Sequence, residues 1–238
     1  MMLPDAVTLT RVNEATWPAA SVQEVEGWII RDGQGGGSRV SAATQITRDA
    51  DIGAAEDAIR ALSQIPLFMI GEGDDALDQA LAQRGYTIKD PVVMLAAPLD
   101  VLTMQRPPPR ATFEVWPPLA AQREIWAEGG IRAGRSAVME RASCPKTTIL
   151  GRVGDHPAGT AYVGISEGCA MMHALEVRTD YRRNGLACHM TVAAALWAQA
   201  LGAHTMTLVT TQANVASRSL YASLGMTVVG HYHYRIHG

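Results

Sequence analysis

Glu176-Val177-Arg178-Thr179-Asp180-Tyr181-Arg182-Arg183-Asn184-Gly185-Leu186-Ala187 is the stretch whose reading decides the fold. It reads as a strand and then a turn that opens an amphipathic helix. A second strand follows, and then a second helix opened by Asn214 and carrying Tyr221. A helix start leaves its first N–H groups unpaired and gathers positive dipole there, so it binds phosphate without a cationic side chain. Gly185 allows close approach to the backbone, and Ala187 keeps the next approach small. Arg182–Ala187 is therefore expected to hold a pyrophosphate on backbone amides, with a phenol one element further on. The dinucleotide fingerprint needs three glycines at its own spacing, and the nucleotide-triphosphatase loop needs Gly-Lys-Ser/Thr; neither is present.

Outward from this stretch, no Asp, Glu, Lys or Arg occurs from Asn184 to Ser217. Gln199, Gly202 and His204 interrupt the run and its apolar residues are largely Ala, so it reads as a buried helix and strand rather than a membrane span. Leu186, Met190, Ala193, Trp197 and Ala200 recur at steps of four and three, a face that packs on a sheet. Upstream, Pro118–Glu128 and Ile131–Arg141 read as helices. Thr147–Val153, Gly159–Ile165 and Cys169–Val177 read as an antiparallel meander.

Pro107-Pro108-Pro109 is the clearest break, since three prolines neither continue a helix nor sit in a central strand. It divides the chain into residues 1–105, a linker 106–111, and residues 112–238. The two sides resemble degenerate copies. Leu67–Ile70, a helix over 74–84, Gly85-Tyr86 and a strand through Val92–Leu95 match Thr205–Val209, Asn214–Leu224, Gly225-Met226 and Val228–Arg235. Asp74 then corresponds to Asn214 and Leu81 to Tyr221, so the first copy lacks the phenol. Gly35-Gly36-Gly37 reads as a hairpin turn between Trp28-Ile29-Ile30 and Arg39-Val40.

Of the 238 residues, 47% are hydrophobic, enough for a sizeable core, and only 18% charged, which argues against disorder. The net charge of −3 conceals an asymmetry: −6 over residues 1–110 and +3 over residues 111–238. Neither side is basic enough for a nucleic-acid partner. Cys144, Cys169 and Cys188 form no framework and no CxxC, which fits a reducing, cytoplasmic setting. Met1–Asp5 lacks the basic and apolar regions of a signal peptide.

Val177 through Arg235 resembles the GNAT superfamily of acetyl-CoA-dependent N-acyltransferases. The resemblance rests on the Arg182–Ala187 loop, Asn214, Leu220-Tyr221-x-x-Leu224-Gly225-Met226, and Tyr232-x-Tyr234-Arg235. It implies an α/β (α+β) protein with two GNAT-like domains in tandem, each a mixed, mostly antiparallel sheet flanked by helices. The first would be degenerate and the second would bind acetyl-CoA as co-substrate. Implied cofactor-binding residues are Val177, Arg182, Arg183, Asn184, Gly185, Leu186, Ala187, Asn214 and Ser217, with a backbone N–H near Val177 as oxyanion donor.

Tyr221 is the candidate general acid. Leu220, Leu224 and Ala216 form the stripe expected to face the core, which puts Tyr221 on the stripe of Asn214 and Ser217, pointing away from it. The base is open between Glu176, His173 and an ordered water. His231, His233 and His237 share a face of the last strand with no carboxylate or thiolate beside them, so no metal is expected. The acceptor would be a small-molecule or peptide amine, and the acidity of the first half would suit a cationic one. The protein would be a monomer with an internal pseudo-dimer, or a homodimer. A non-catalytic acyl-CoA sensor and a structural domain with a fortuitous loop remain as alternatives.

Overall fold

A computed structural model describes residues 2–237. Helix α1 (Ala6–Thr16) is capped by Asp5, whose carboxylate accepts the Thr8 N–H at 2.8 Å. Strands β1 (Ser21–Val25), β2 (Trp28–Asp32) and β3 (Thr44–Gln45) form a small antiparallel sheet. Its hairpin turns at Glu26-Gly27, both with positive φ, as a two-residue turn of this hand requires. Gly35–Gly37 is a turn as expected. It leads into a 3₁₀ segment, Ser38–Val40, however, and not into a strand: β2 finds its partners in β1 and β3.

The chain continues through α2 (Ile52–Ala61), β4 (Leu67–Ile70), α3 (Asp75–Gln83), β5 (Thr87–Pro98) and α4 (Leu99–Leu102). Beyond the prolines come β6 (Thr112–Val115), α5 (Ala120–Glu128), α6 (Ala133–Arg141), β7 (Lys146–Val153), β8 (His156–Ser166) and β9 (Cys169–Val177). A 3₁₀ turn at Thr179–Tyr181 leads to α7 (Leu186–Ala200), β10 (Thr205–Thr211), α8 (Val215–Ser223) and β11 (Thr227–Ile236). The result is a mixed α/β protein whose large sheet is mostly antiparallel and carries helices on both faces.

That sheet has eight strands in the order β4-β11-β5-β10-β9-β8-β7-β6. It runs across the proline break, because β5 of the first half lies between β10 and β11 of the second. The four strands at this end have a two-fold register. Thr87 pairs with Ile236 and Thr227 with Ala96, and the equivalent residues lie 140 positions apart. The same offset converts Ile70↔His233 of β4–β11 into Thr210↔Val93 of β10–β5. It also relates the bond from the Tyr86 N–H to Leu81 O to the bond from the Met226 N–H to Tyr221 O, both 3.0 Å. Each strand–helix–strand copy thus holds a strand of the other between its own two.

Alternation along β5 explains the two faces. Val93, Leu95 and Ala97 enter a core with Met190, Ala194 and Leu208 under α7, while Val92 and Met94 join Leu9 and Val12 of α1. Helix α7 is buried on most of its circumference, which is why it carries no charge. No helix among the described residues is long and apolar enough to cross a membrane.

Candidate active site

Strands β9 and β10 run parallel and pair from Cys169↔Thr205 to Met172↔Leu208, where the ladder stops. Both strands continue, to Val177 and Thr211, without further pairing to each other. The cause lies in β9. Its register against β8 slips between His173 and Glu176, and Ala174 takes φ +52°, a bulge that bends the strand away from β10. The Trp126 indole braces it by donating to Ala174 O at 2.7 Å.

Past the bulge, β9 has an open edge. The Arg178 N–H donates across to Ala158 O of β8 at 2.9 Å, so the preceding Val177 N–H points the other way, toward the gap. The Val177 carbonyl on that edge accepts from Arg182 Nε at 2.9 Å. Arg182 also donates from Nη2 to Glu176 at 3.1 Å. It is turned back onto the strand end, and its guanidinium is engaged there.

The gap opens into a cleft of about 650 Å³. Leu175, Glu176 and Val177 form one wall, the turn from Tyr181 through Cys188 another, and Asn214, Ala216, Ser217 and Leu220 of α8 the third. Gly185 is the N-cap of α7 at φ +74°, and Arg183 is at +64°. No side chain caps this helix. Among the described residues, none accepts from the backbone N–H groups of Arg183, Asn184, Gly185, Leu186, Ala187 or Cys188. Such a row of orphan donors at a helix start, beside a cavity, is an anion site in waiting.

The corresponding helix before β4 is closed. The Asp51 carboxylate caps α2 by accepting from Gly53 and Ala54 N–H at 3.1 and 3.2 Å. Asp74 is likewise used locally, accepting the Gly71 N–H at 2.8 Å.

The structure brings Glu176, Val177, Arg182, Arg183, Gly185, Leu186, Ala187, Asn214 and Ser217 to one cleft, whereas Asn184 lies outside its lining, its side-chain amide donating to Tyr181 O at 3.2 Å. Asn214 works as the cap of α8, accepting the Ser217 N–H at 3.1 Å. Tyr221 departs from expectation. It is the buried residue of α8, 5% exposed and packed in the core under α7, whereas Leu220 and Leu224 are only partly buried and Ala216 is exposed. The inward face of α8 is thus rotated from the one its sequence pattern suggests, with Tyr221 at its centre and Leu220 and Leu224 packed at the margin of the same core. Burial pushes the Tyr221 hydroxyl up to about 12. That oxygen makes no hydrogen bond, yet it is not among the sealed, unpartnered polar atoms, so it retains access to solvent.

His173 is a satisfied core histidine and not a base. Its Nδ1 accepts from Arg39 Nη1 at 2.8 Å, which leaves Nε2 to donate to Thr16 Oγ1 at 2.9 Å. Burial, and then the Arg39 charge, hold it well below its ordinary value, so it is neutral. Glu176 is salt-bridged to Arg182 and packed against Gly129, where any β-carbon would lie 2.6 Å from its carboxyl carbon. The C-terminal histidines do have a carboxylate nearby. Asp78 of α3 accepts from His233 Nε2 at 2.7 Å and from Nε and Nη2 of Arg235, at 2.7 and 2.9 Å. It is an ion-pair cluster that ties α3 to β11, and spacing in the last strand alone concealed it.

Leu175, Tyr181, Cys188 and Ala216 also line the cleft, and the sequence pattern does not single them out. Their signal is position alone, adjacent to the strand end, the loop and the α8 cap. A second cavity, about 200 Å³, lies at the same strand ends on the α1 face. It is bordered by Val209–Thr211 of β10, Tyr232 and Tyr234 of β11, and Arg39, Asp90 and Arg135. Asp90 is the one carboxylate among its lining residues, so the acidity of the first half is not concentrated there.

The family model for the acetyltransferase (GNAT) family matches residues 104–226, more than half of the chain. No curated protein matches the sequence. Among solved structures, a GCN5-related N-acetyltransferase from Kribbella flavida is similar over 99% of this chain and 96% of its own, with TM-score 0.73 and 16% identity. A functionally unknown conserved protein from Staphylococcus epidermidis covers 97% of this chain and 99% of its own, with TM-score 0.70 and 11% identity. A tandem GNAT protein from the clavulanic acid biosynthesis pathway covers 87% of this chain and 76% of its own, with TM-score 0.60 and 15% identity. At these identities the likeness is one of fold. With the orphan-amide loop, the bulged β9 and the family match over residues 104–226, the chain belongs to the GNAT acetyltransferase family.

Proposed function

We propose that the protein transfers an acetyl group from acetyl-CoA directly to an amine, using the cleft between β9, the α7 turn and α8. The observation that carries this is the row of orphan N–H groups, Arg183 to Cys188, facing a cleft that leads to the open edge of β9. Backbone amides and the α7 dipole would hold the pyrophosphate. The unpaired edge of β9 would receive the amide-bearing arm of the coenzyme by strand-like pairing.

In the reaction, the amine nitrogen attacks the thioester carbonyl, the C–N bond forms, and the C–S bond then breaks. The Val177 N–H, aimed into the gap, would donate to the oxyanion. Glu176, directly or through a water, would take the proton the ammonium loses. Tyr221 would donate to the departing sulfur. With the phenol at about 12 and a thiol near 8.5, full transfer runs uphill by about 5 kcal/mol, so most of the benefit comes from hydrogen-bond donation as charge develops. The two-fold register of the β4–β5 and β10–β11 copies supports a tandem reading, residues 1–105 as the degenerate copy and 112–238 as the acetyl-CoA-binding one. The Asp51 cap and the absence of a phenol at Leu81 support one coenzyme site per chain.

A second reading, an acyl-CoA binder without turnover, is favoured by the packing of the Tyr221 ring in the core, outside the cleft lining. Calorimetry with acetyl-CoA, followed by thiol release with a panel of amines, separates the two. Binding with amine-dependent thiol release supports transfer; binding without release supports the second reading; no binding refutes both.

A further inference from the structure

The 200 Å³ cavity on the α1 face is lined by two arginines, Arg39 and Arg135, and one carboxylate, Asp90. Arg39 is half-buried behind the ring of Trp17, with its guanidinium carbon 4.8 Å from the ring centroid. Its Nη1 donates to His173 Nδ1 at 2.8 Å and to Asn13 at 3.4 Å, and both partners are neutral. No carboxylate among the described residues pairs with Arg39 or with Arg135. Asp90 is already bound by the Lys89 ammonium at 2.9 Å.

The free edge of Arg39 has a particular shape. Its Nε and Nη2 make no hydrogen bond and are not sealed from solvent. These two N–H groups lie side by side on one edge of the planar guanidinium, the fork that matches both oxygens of a carboxylate. Arg39 also borders a neighbouring cavity with Glu14 and Arg31. In the first cavity it lies with Arg135, Tyr232 and Tyr234.

We propose that this cavity binds the carboxylate of the acceptor, through Arg39 and Arg135, so that the substrate class is a small aminocarboxylate. The inference rests on the acetyl-transfer reading for the word acceptor, but the anion site itself stands on the cavity's own residues. The size agrees: about 200 Å³ admits an amino-acid-sized molecule. The place agrees too, since the cavity and the coenzyme cleft lie on opposite faces of the sheet at the ends where β9 and β10 part. An acceptor held there lies against Val209–Thr211, the part of β10 beyond its last pairing with β9.

The test is a calorimetric panel of free L-amino acids and ω-amino acids, each beside its carboxamide and its aminophosphonate analogue. Acetyl-CoA is titrated separately. The expected result is binding of at least one aminocarboxylate, with its carboxamide weaker by a hundredfold or more. Arg135→Met, at an exposed position, and Arg39→Lys, which keeps the charge but loses the fork, should each weaken the carboxylate at least tenfold and leave the carboxamide and acetyl-CoA unmoved. A phosphonate bound more tightly than the carboxylate would overturn the carboxylate assignment. A carboxamide equal to its acid, insensitivity to Arg135→Met, or no aminocarboxylate binding beside normal acetyl-CoA binding would overturn the proposal. Arginine-dependent carboxylate binding without acetyl-CoA binding would leave the anion site standing and refute the transfer reading instead.

Discussion

Tyr221→Phe is the sharpest test of the chemistry, because the structure makes it a clean substitution. The ring is 5% exposed and packed with the α7 core, so Phe retains that packing. The hydroxyl has no protein hydrogen bond to lose, and the variant should melt within a few degrees of the parent. If the oxygen donates to the leaving sulfur, its loss costs roughly 10²–10⁴ in kcat, equivalent to about 3–5 kcal/mol in the barrier. Acetyl-CoA affinity should change little, since the proposed pyrophosphate contacts lie on the α7 turn. The assay is thiol release at saturating acetyl-CoA and amine, with calorimetry for the coenzyme. The pH profile gives a second reading. Burial holds the phenol near 12, so it stays protonated through the working range, and no alkaline fall in kcat between pH 7 and 10 should belong to it. Unchanged kcat in the variant would refute the assignment. So would an alkaline limb near pH 10 that vanishes with the hydroxyl, since that would place the phenol far below the value its burial implies.

Gly185→Asp should abolish acetyl-CoA binding while the protein stays folded. It sets an anion beside the orphan amides and forces φ +74° on a residue with a β-carbon, a strain of about 1 kcal/mol; calorimetry and a melting curve check both parts, and unaltered affinity would remove the loop from the site. Acetyl-CoA should titrate to one site per chain, because the Asp51 carboxylate closes the helix start that precedes β4; two equivalent sites would contradict this. Asp78→Asn should destabilise the protein and flatten its acid sensitivity. The Arg235 hydrogen bonds, assisted by His233, lower Asp78 from 3.8 to about 2, so the carboxylate's contribution is fully present above the unfolded value and is lost as pH falls from about 4 to about 2. At neutral pH it amounts to about 2 kcal/mol, and urea midpoints at pH 7 and pH 3 measure it; an equal loss at both would show that the ion pair is not the source.

Much of this protein is written locally. The strand Cys169–Val177, the start of α7 at Leu186 and the Asn214 cap of α8 are all legible to within a residue or two, because periodicity, glycine and capping side chains act over one or two turns of chain. The two matching turns are legible as well, with Gly85 and Gly225 both at positive φ. The orphan amides follow from the same local signals, so this part of the cleft needs no tertiary information.

Other features depend on partners far away in sequence. That β5 lies between β10 and β11 is a choice among strand pairings more than a hundred residues apart, and an alternating apolar strand fits several neighbours equally well. The inward face of α8 is set by what the sheet offers, a socket for the Tyr221 ring, and a nine-residue helix carries too little pattern to fix its own rotation. His173 becomes a neutral core residue because Arg39, Thr16 and Trp17 converge on it from the first half. Arg39 in turn is left with a free fork at a cavity between strand ends. The sequence determined the elements and the loop that can hold a phosphate; packing between distant segments decided which side chains face the cleft and which charges meet no partner, since a one-dimensional pattern encodes what a residue prefers and not what it finds opposite it.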